Sequence, residues 1–480
     1  MWTVEQVRAA ERAVIAEVGE AVLMRRAAFG VAVQCAELLR RSTGRVAGRR
    51  VALLVGAGNN GGDALWAGAF LRRRGVAVTA VLLAPERAHA EGLSALRRRG
   101  GRVASDQEAA VAAADLVVDG IVGLSARGPL RAAAAELVEL VKAPVVAVDL
   151  PSGVDPDTGA VDGPAVTAAA TVTFGALKPV HVLAPHRCGA LRVVDIGIGD
   201  ALPEPAMRVL DAADVGVVWP VPGPEDDKYT QGVAGVAAGS ATYPGAAVLT
   251  AGAAVLATSG MVRYAGAAAD LVRARWPEVV ATGSVSDAGR VQAWIVGPGL
   301  GTGSDGRDLL RQTLGSGLPM CIDAAGITLL AADPTLWDAR DPGVPVVLTP
   351  HEREFARIAG ELGGDRVAAT RRAARELDAT VLLKGHATVI ADADGTVLVH
   401  PSRSSWPATA GSGDVLSGLI GALLAAGLPP LMAAGAATHV HELAAELAAM
   451  DAPAPASALL HAVPDAIRAV RRRQMGRYGG

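Results

Sequence analysis

The chain has 480 residues, with 45 Lys and Arg set against 48 Asp and Glu for a formal charge of −3, a balance that creates no field favouring nucleic acid or an anionic membrane. At roughly 150 residues per domain, that length predicts two or three folded units. Hydrophobic residues make up 51% but aromatics only 3%, so packing must rest on Val, Leu and Ile, and the composition favours a small-molecule role.

The first residues carry Glu5, Arg8, Glu11 and Arg12, where an export signal needs an unbroken apolar run. Thr3 and Gln6 predict a capping box, and Val7, Ala10, Val14 and Val18 follow at helical spacing. Short runs at Val51–Val55, Val76–Leu83, Leu116–Val118 and Val145–Val148 alternate with helical patterns, which predicts a parallel sheet covered on both faces. The matching ends Leu71-Arg72-Arg73-Arg74-Gly75 and Leu96-Arg97-Arg98-Arg99-Gly100 read as helix C-termini rather than phosphate sites, because cations and a following Gly suit such ends.

Val51–Val55 runs into Gly56-Ala57-Gly58-Asn59-Asn60-Gly61-Gly62-Asp63, a strand, Gly-rich turn and helix start whose free N–H groups suit a phosphate. Two amides and a carboxylate add hydrogen-bonding capacity that a bare turn does not need. Asp119 and Asp149 end strands, the latter within Asp149-Leu150-Pro151-Ser152-Gly153. Asn60, Asp119 and Ser152 would then meet in the crevice beyond the strands, offering oxygen ligands to a hard cation. Taken singly, each of these carboxylates is also compatible with a helix cap or a turn.

Pro203, Pro205, Pro220, Pro222 and Pro224 predict a boundary near 205, dividing the chain into 1–205 and 206–480. A second alternation follows at Val233–Ala238, Trp294–Val296, Met320–Ile322, Val346–Leu348 and Val381–Leu383. Tyr229 to Val262 is uncharged and long enough to span a bilayer, but Tyr243-Pro244-Gly245 and its abundant Ala predict a buried strand, a turn and a buried helix. In Gly411-Ser412-Gly413-Asp414 the glycines allow close backbone approach to an anion. Asp414 would repel a phosphate, so it reads as the base for a hydroxyl being phosphorylated, with a helix cap as the bland alternative. Cys35, Cys188 and Cys321 form no CxxC pair, so reduced thiols and a cytoplasmic location are expected.

Asn59–Asp63, Asp119, Gly123–Pro129 and Asp149–Gly153, in that order over about residues 1 to 200, resemble the NAD(P)H-hydrate epimerase family. The resemblance implies a Rossmann-like three-layer domain in which Asn59, Asn60, Gly61, Gly62 and Asp63, with Gly123, Leu124, Ser125, Ala126, Arg127, Gly128 and Pro129, contact the hydrated dinucleotide. It also implies potassium on Asn60, Asp119 and Ser152, and Asp149 at the reacting ring. Lys178 matches a family lysine, although an ordinary surface lysine fits the residues as well.

Over about residues 210 to 470, Asp227–Gly232, Tyr243–Ala247, Gly297–Gly301, Ile322–Ala325, Leu348–Phe355, Leu383–Thr388 and the Asp414 motif resemble the ADP/ATP-dependent NAD(P)H-hydrate dehydratase family, of ribokinase-like α/β fold. What this implies is a hydrate site of Ala246, Gly301, His351 and Asp414, and a nucleotide site of Lys384, Gly385, His386, Ala387, Thr388 and Gly413 for ADP or ATP with Mg2+. The expected chain is a bifunctional, homo-oligomeric repair enzyme for hydrated NADH and NADPH (NADHX and NADPHX), with no nucleic-acid or membrane partner. The rival expectation is a ribokinase-like kinase for a vitamin precursor, fused to a nucleotide-binding module.

Overall fold

The structure, a computed structural model, describes residues 1–125, 127–258, 260–402 and 404–478, with side chains as far as 473. The chain divides into two compact units, Met1–Met207 and Arg208–Gly480.

The first unit opens with the helix Val4–Val18, whose Thr3 and Gln6 form the reciprocal capping box. Its strands are β1 (Arg50–Val55), β2 (Ala77–Leu82), β3 (Arg102–Val103), β4 (Leu116–Gly120), β5 (Val145–Val148), β6 (Ala170–Phe174) and β7 (Ala190–Val194). They lie parallel in the order β3-β2-β1-β4-β5-β6-β7. Side chains alternate across the sheet, so Val51, Leu53 and Val55 join a core under the helices Glu20–Thr43 and Asn59–Arg72, while Ala52 and Leu54 join Ala134 and Leu137 on the other face. Strand order reverses between β1 and β4, which opens a crevice beyond their carboxyl ends. The two Arg-rich segments do close helices, Asn59–Arg72 and Ala90–Arg98, with Gly75 and Gly100 both at φ 78.

The second unit contains β8 (Val233–Ala237), β9 (Met261–Ala265), β10 (Val280–Thr282), β11 (Ala293–Val296), β12 (Met320–Ile322), β13 (Val346–Leu348), β14 (Thr380–Leu383), β15 (Ala387–Ala391) and β16 (Val397–Pro401). Their order is β10-β9-β8-β11-β12-β13-β14-β15-β16. Pairing is parallel as far as β14, then antiparallel through β15 and β16. This antiparallel edge departs from the simple strand-helix alternation read from sequence, because a short hairpin needs no crossover helix to announce it.

Tyr229 to Val262 resolves into β8, the helix Pro244–Ala257 and the start of β9, and among the described residues no helix is long and apolar enough to cross a membrane. The helix Ser412–Ala425 lies against β11 so closely that a Cβ on Gly421 would fall 1.9 Å from Ile295 Cγ1, and one on Gly418 would fall 2.4 Å from the Thr250 carbonyl oxygen.

Candidate functional site

In the first unit the turn after β1 enters the helix Asn59–Arg72 through Gly58, at φ 91, with no side-chain cap. The first N–H groups of this helix are therefore available at the crevice. Asn59 Nδ2 donates to Glu20 Oε1 at 2.6 Å and Asn60 Nδ2 to the Val122 carbonyl at 2.9 Å. A Cβ on Gly61 would stand 2.2 Å from the Gly56 carbonyl oxygen, so the turn closes only around glycine.

Asp119, at the end of β4, meets Ser152 across the crevice. Ser152 donates its N–H to Asp119 Oδ2 at 2.8 Å and its hydroxyl to Oδ1 at 2.7 Å, while the Val122 N–H donates to Ser152 Oγ at 3.1 Å. Burial pushes Asp119 up to about 6 although three hydrogen bonds pull it down, the mark of a carboxylate short of positive charge. The functional groups that Asn60, Asp119 and Ser152 bring to this end of the sheet, linked through the Val122 backbone, offer oxygen ligands, which suit a hard cation better than zinc or copper.

Asp149 follows β5 in the left-handed region, at φ 69, and is 4% exposed. Its Oδ1 accepts from Lys178 Nζ at 2.5 Å and from Thr173 Oγ1 at 3.0 Å. Lys178 is fully buried, which rules out the surface-lysine alternative. His181 Nδ1 accepts the Lys178 N–H at 3.0 Å, so its proton sits on Nε2, which donates to the Asp149 carbonyl at 2.9 Å. Burial, then the Lys178 charge, hold His181 down at about 4 and hence neutral.

A cavity of about 410 Å³ lies beside these groups, lined by Asn59, Asn60, Asp63, Gly123, Leu124, Ser125 and Asp149, while Asp119, Ser152, Lys178 and His181 stand behind its wall. Gly61 and Gly62 are buried in the adjoining helix turn. Arg127, Gly128 and Pro129 do not form its wall; Arg127 instead faces Asp155 at 3.9 Å. Ala126 lies outside the described residues. Sequence reasoning missed Arg8, Glu11 and Glu20 on this wall. Arg8 Nη2 donates to Ser125 Oγ at 2.9 Å, and the signal that could have exposed them was an acid on a capped amphipathic helix beside its apolar spine.

In the second unit, Asp323 (after β12), Lys384 (after β14) and the start of the helix Ser412–Ala425 come together. Lys384 Nζ donates to Asp323 Oδ1 at 2.8 Å and Ser417 Oγ to Asp323 Oδ2 at 2.8 Å. Burial pulls the Lys384 ammonium down, but the charge and hydrogen bond of Asp323 outweigh it and hold it above its ordinary value. A Cβ on Gly413 would lie 3.6 Å from Lys384 Nζ, and one on Gly411 3.8 Å from Asp414 Oδ2. No side chain caps this helix, so Asp414 is not the cap that the bland reading made it. Burial first, then the Asp323 charge, push Asp414 up to about 7, with Lys384 pulling back.

Gly297 abuts the Asp323 carbonyl, and Gly299 abuts Ala246, which ties Ala246 and the loop holding Gly301 to the same end of the sheet. His351 caps the helix Glu352–Ala359, its Nδ1 accepting from the Arg353 and Glu354 N–H groups at 3.1 and 3.3 Å. Gly385 sits against Arg366, which donates to the Lys384 carbonyl at 3.2 Å. His386 precedes β15, which holds Ala387 and Thr388.

Residues 234–467 match the family model described as NAD(P)H-hydrate dehydratase, and residues 20–180 the one described as YjeF-related protein N-terminus. The bifunctional NAD(P)H-hydrate repair enzyme of Mycobacterium leprae is 56% identical over 458 residues, covering 95% of each chain. Its Mycobacterium tuberculosis counterpart is 57% identical over 432 residues, 89% of each. A solved ribokinase-like superfamily protein from Enterococcus faecalis is similar in fold, with a TM-score of 0.51 at 23% identity over 56% of this chain and 98% of that one.

Proposed function

The chain belongs to the family of bifunctional NAD(P)H-hydrate repair enzymes, and from that premise we propose how its two sites divide the work. The enzyme interconverts the R and S hydrates of NADH and NADPH and returns the S hydrate to the dihydropyridine. The first unit is the epimerase and the second the nucleotide-dependent dehydratase.

Asp414 carries the dehydratase reading, because it stands at an uncapped helix start beside the Lys384–Asp323 pair. Its carboxylate takes the proton of the ring hydroxyl, so that the oxygen can accept a phosphoryl group from ADP or ATP. Phosphate is a far better leaving group than hydroxide; it departs with the C–O electron pair, and loss of a proton from the neighbouring ring carbon then closes the C=C bond of the dihydropyridine. Lys384 and the Gly413 backbone hold the transferred phosphate, with Ala246, Gly301 and His351 toward the hydrate and Gly385 to Thr388 toward the nucleotide. Magnesium, if carried in by the nucleotide, would help neutralise the charge of its phosphates; no side chain is assigned to it.

In the epimerase, Asp149 is the base beside the ring carbon, paired with Lys178, and the dinucleotide lies along Asn59–Asp63 and Gly123–Ser125, the part of the expected Gly123–Pro129 segment that lines the cavity. Asn60, Asp119 and Ser152 fit potassium, which would fix the phosphate-side turn. A homo-oligomer in the cytoplasm, without nucleic-acid or membrane partners, completes the proposal.

The pure chain, given mixed hydrate epimers and either nucleotide, should regain NADH absorbance in step with free phosphate. Accumulation of a phosphorylated product would make it a small-molecule kinase instead. Asp119→Asn should weaken potassium activation of epimerisation about 10–100-fold, the range for damaged metal sites, as read from a potassium titration in a tetramethylammonium buffer. An unchanged titration would remove the cation from Asp119.

A further inference from the structure

The epimerase cavity holds more acid than one base requires. Glu11, Glu20, Asp63 and Asp149 all line it, and Arg8 is the one cation among its described lining residues. The acids are not equivalent. Asp149 is tied to Lys178 at 2.5 Å and Glu20 accepts from Asn59. Asp63 is 7% exposed, and its Oδ1 is buried with no hydrogen-bond partner.

A carboxylate oxygen in that position strongly disfavours ionisation, because neither solvent, a donor nor a cation compensates the charge. Burial first, and then the charges of Asp149, Glu11 and Glu20, hold Asp63 well above the ordinary carboxylate range. The charged groups that share its cavity come from three elements: Arg8 and Glu11 on the first helix, Glu20 on the second, and Asp149, paired with Lys178, at the sheet's end. A carboxyl that keeps its proton, beside a second carboxyl paired with a lysine, is the usual setting for an acid and a base in one site.

We propose that Asp63 is the general acid of epimerisation, working with Asp149 in the same cavity; the assignment rests on the epimerase reading of this cavity. The hydrated carbon is bonded to the ring nitrogen. Asp63 gives its proton to the hydroxyl, the C–O bond breaks with its electron pair leaving in water, and the nitrogen lone pair closes a C=N bond. The ring is then cationic, and the surrounding carboxylates stabilise it. Water adds to the opposite face as the C=N pair returns to nitrogen. Asp149 takes one proton from that water and passes it to Asp63, which resets the pair.

Asp63→Asn should lower kcat for the R hydrate about 10²–10⁴-fold, the range for a lost general acid, with KM little changed. In heavy-oxygen water the wild-type enzyme should exchange the ring hydroxyl as fast as it epimerises, and Asp63→Asn should lose both together. Wild-type kcat should fall as pH rises through the Asp63 pKa, since the acid needs its proton. Glu11→Gln removes a charge that helps retain that proton, so the fall should move to lower pH. That variant keeps the idea open to refutation even if Asp63→Asn does not fold. Near-normal kcat in Asp63→Asn, epimerisation without oxygen exchange, or an unmoved pH limb in Glu11→Gln would each overturn the assignment. If the wild-type chain did not epimerise the R hydrate at all, the functional reading would fall and the acid with it.

Discussion

Asp414→Asn is expected to reduce nucleotide-dependent dehydration about 10²–10⁴-fold in kcat, the usual loss when a positioned base is removed, while R-hydrate epimerisation continues. Asparagine keeps the side chain's size, so the helix start and the neighbouring Lys384–Asp323 pair at 2.8 Å persist, and the loss isolates proton removal. The pH profile gives a second reading. With Asp414 at about 7, the ionised fraction increases with pH, so kcat should climb through neutrality to a plateau above it. Lys384→Met removes a charge that lowers this pKa, so its rising limb should move to higher pH. Full dehydratase activity in Asp414→Asn would leave the second unit without its proposed base.

The other large effect is on stability. Lys178→Met leaves Asp149 buried with no cation, and breaking a buried pair in this way costs about 3–5 kcal/mol. For a unit of this size the loss should lower its melting transition by on the order of 10 °C. Lys178→Met with Asp149→Asn should recover much of that loss, since neither charge is then stranded, yet epimerisation should stay absent. Calorimetry on the wild type and these two variants, with hydrate assays alongside, separates the two roles. A single variant that melts like wild type would show that Lys178–Asp149 does not hold the end of the sheet.

The strands that run through the centre of each sheet were legible because apolar runs such as Val51–Val55 and Met320–Ile322 are buried on both faces and followed by Gly or Asp. The β15–β16 hairpin was not, since Ala387–Ala391 overlaps a segment read for nucleotide contacts. Local chemistry placed Asp119 and Ser152 at strand ends, and their meeting follows from the parallel order of β4 and β5. The burial of Lys178 was illegible for the opposite reason: it depends on Thr173 and Asp149, brought in from separate strand ends. Glu11 was seen only as a polar residue that argues against an export signal, because nothing in a helical repeat states which neighbour the helix will cover.

The close seating of the helix Ser412–Ala425 at Gly418 and Gly421 also bears on how turnover is organised. A rod that cannot accept one extra methyl against its bed has no room to slide, so the wall bearing Asp414 acts as a fixed jaw. Natural variants that handle altered dinucleotides should keep this helix seat, with glycine at 418 and 421, unchanged.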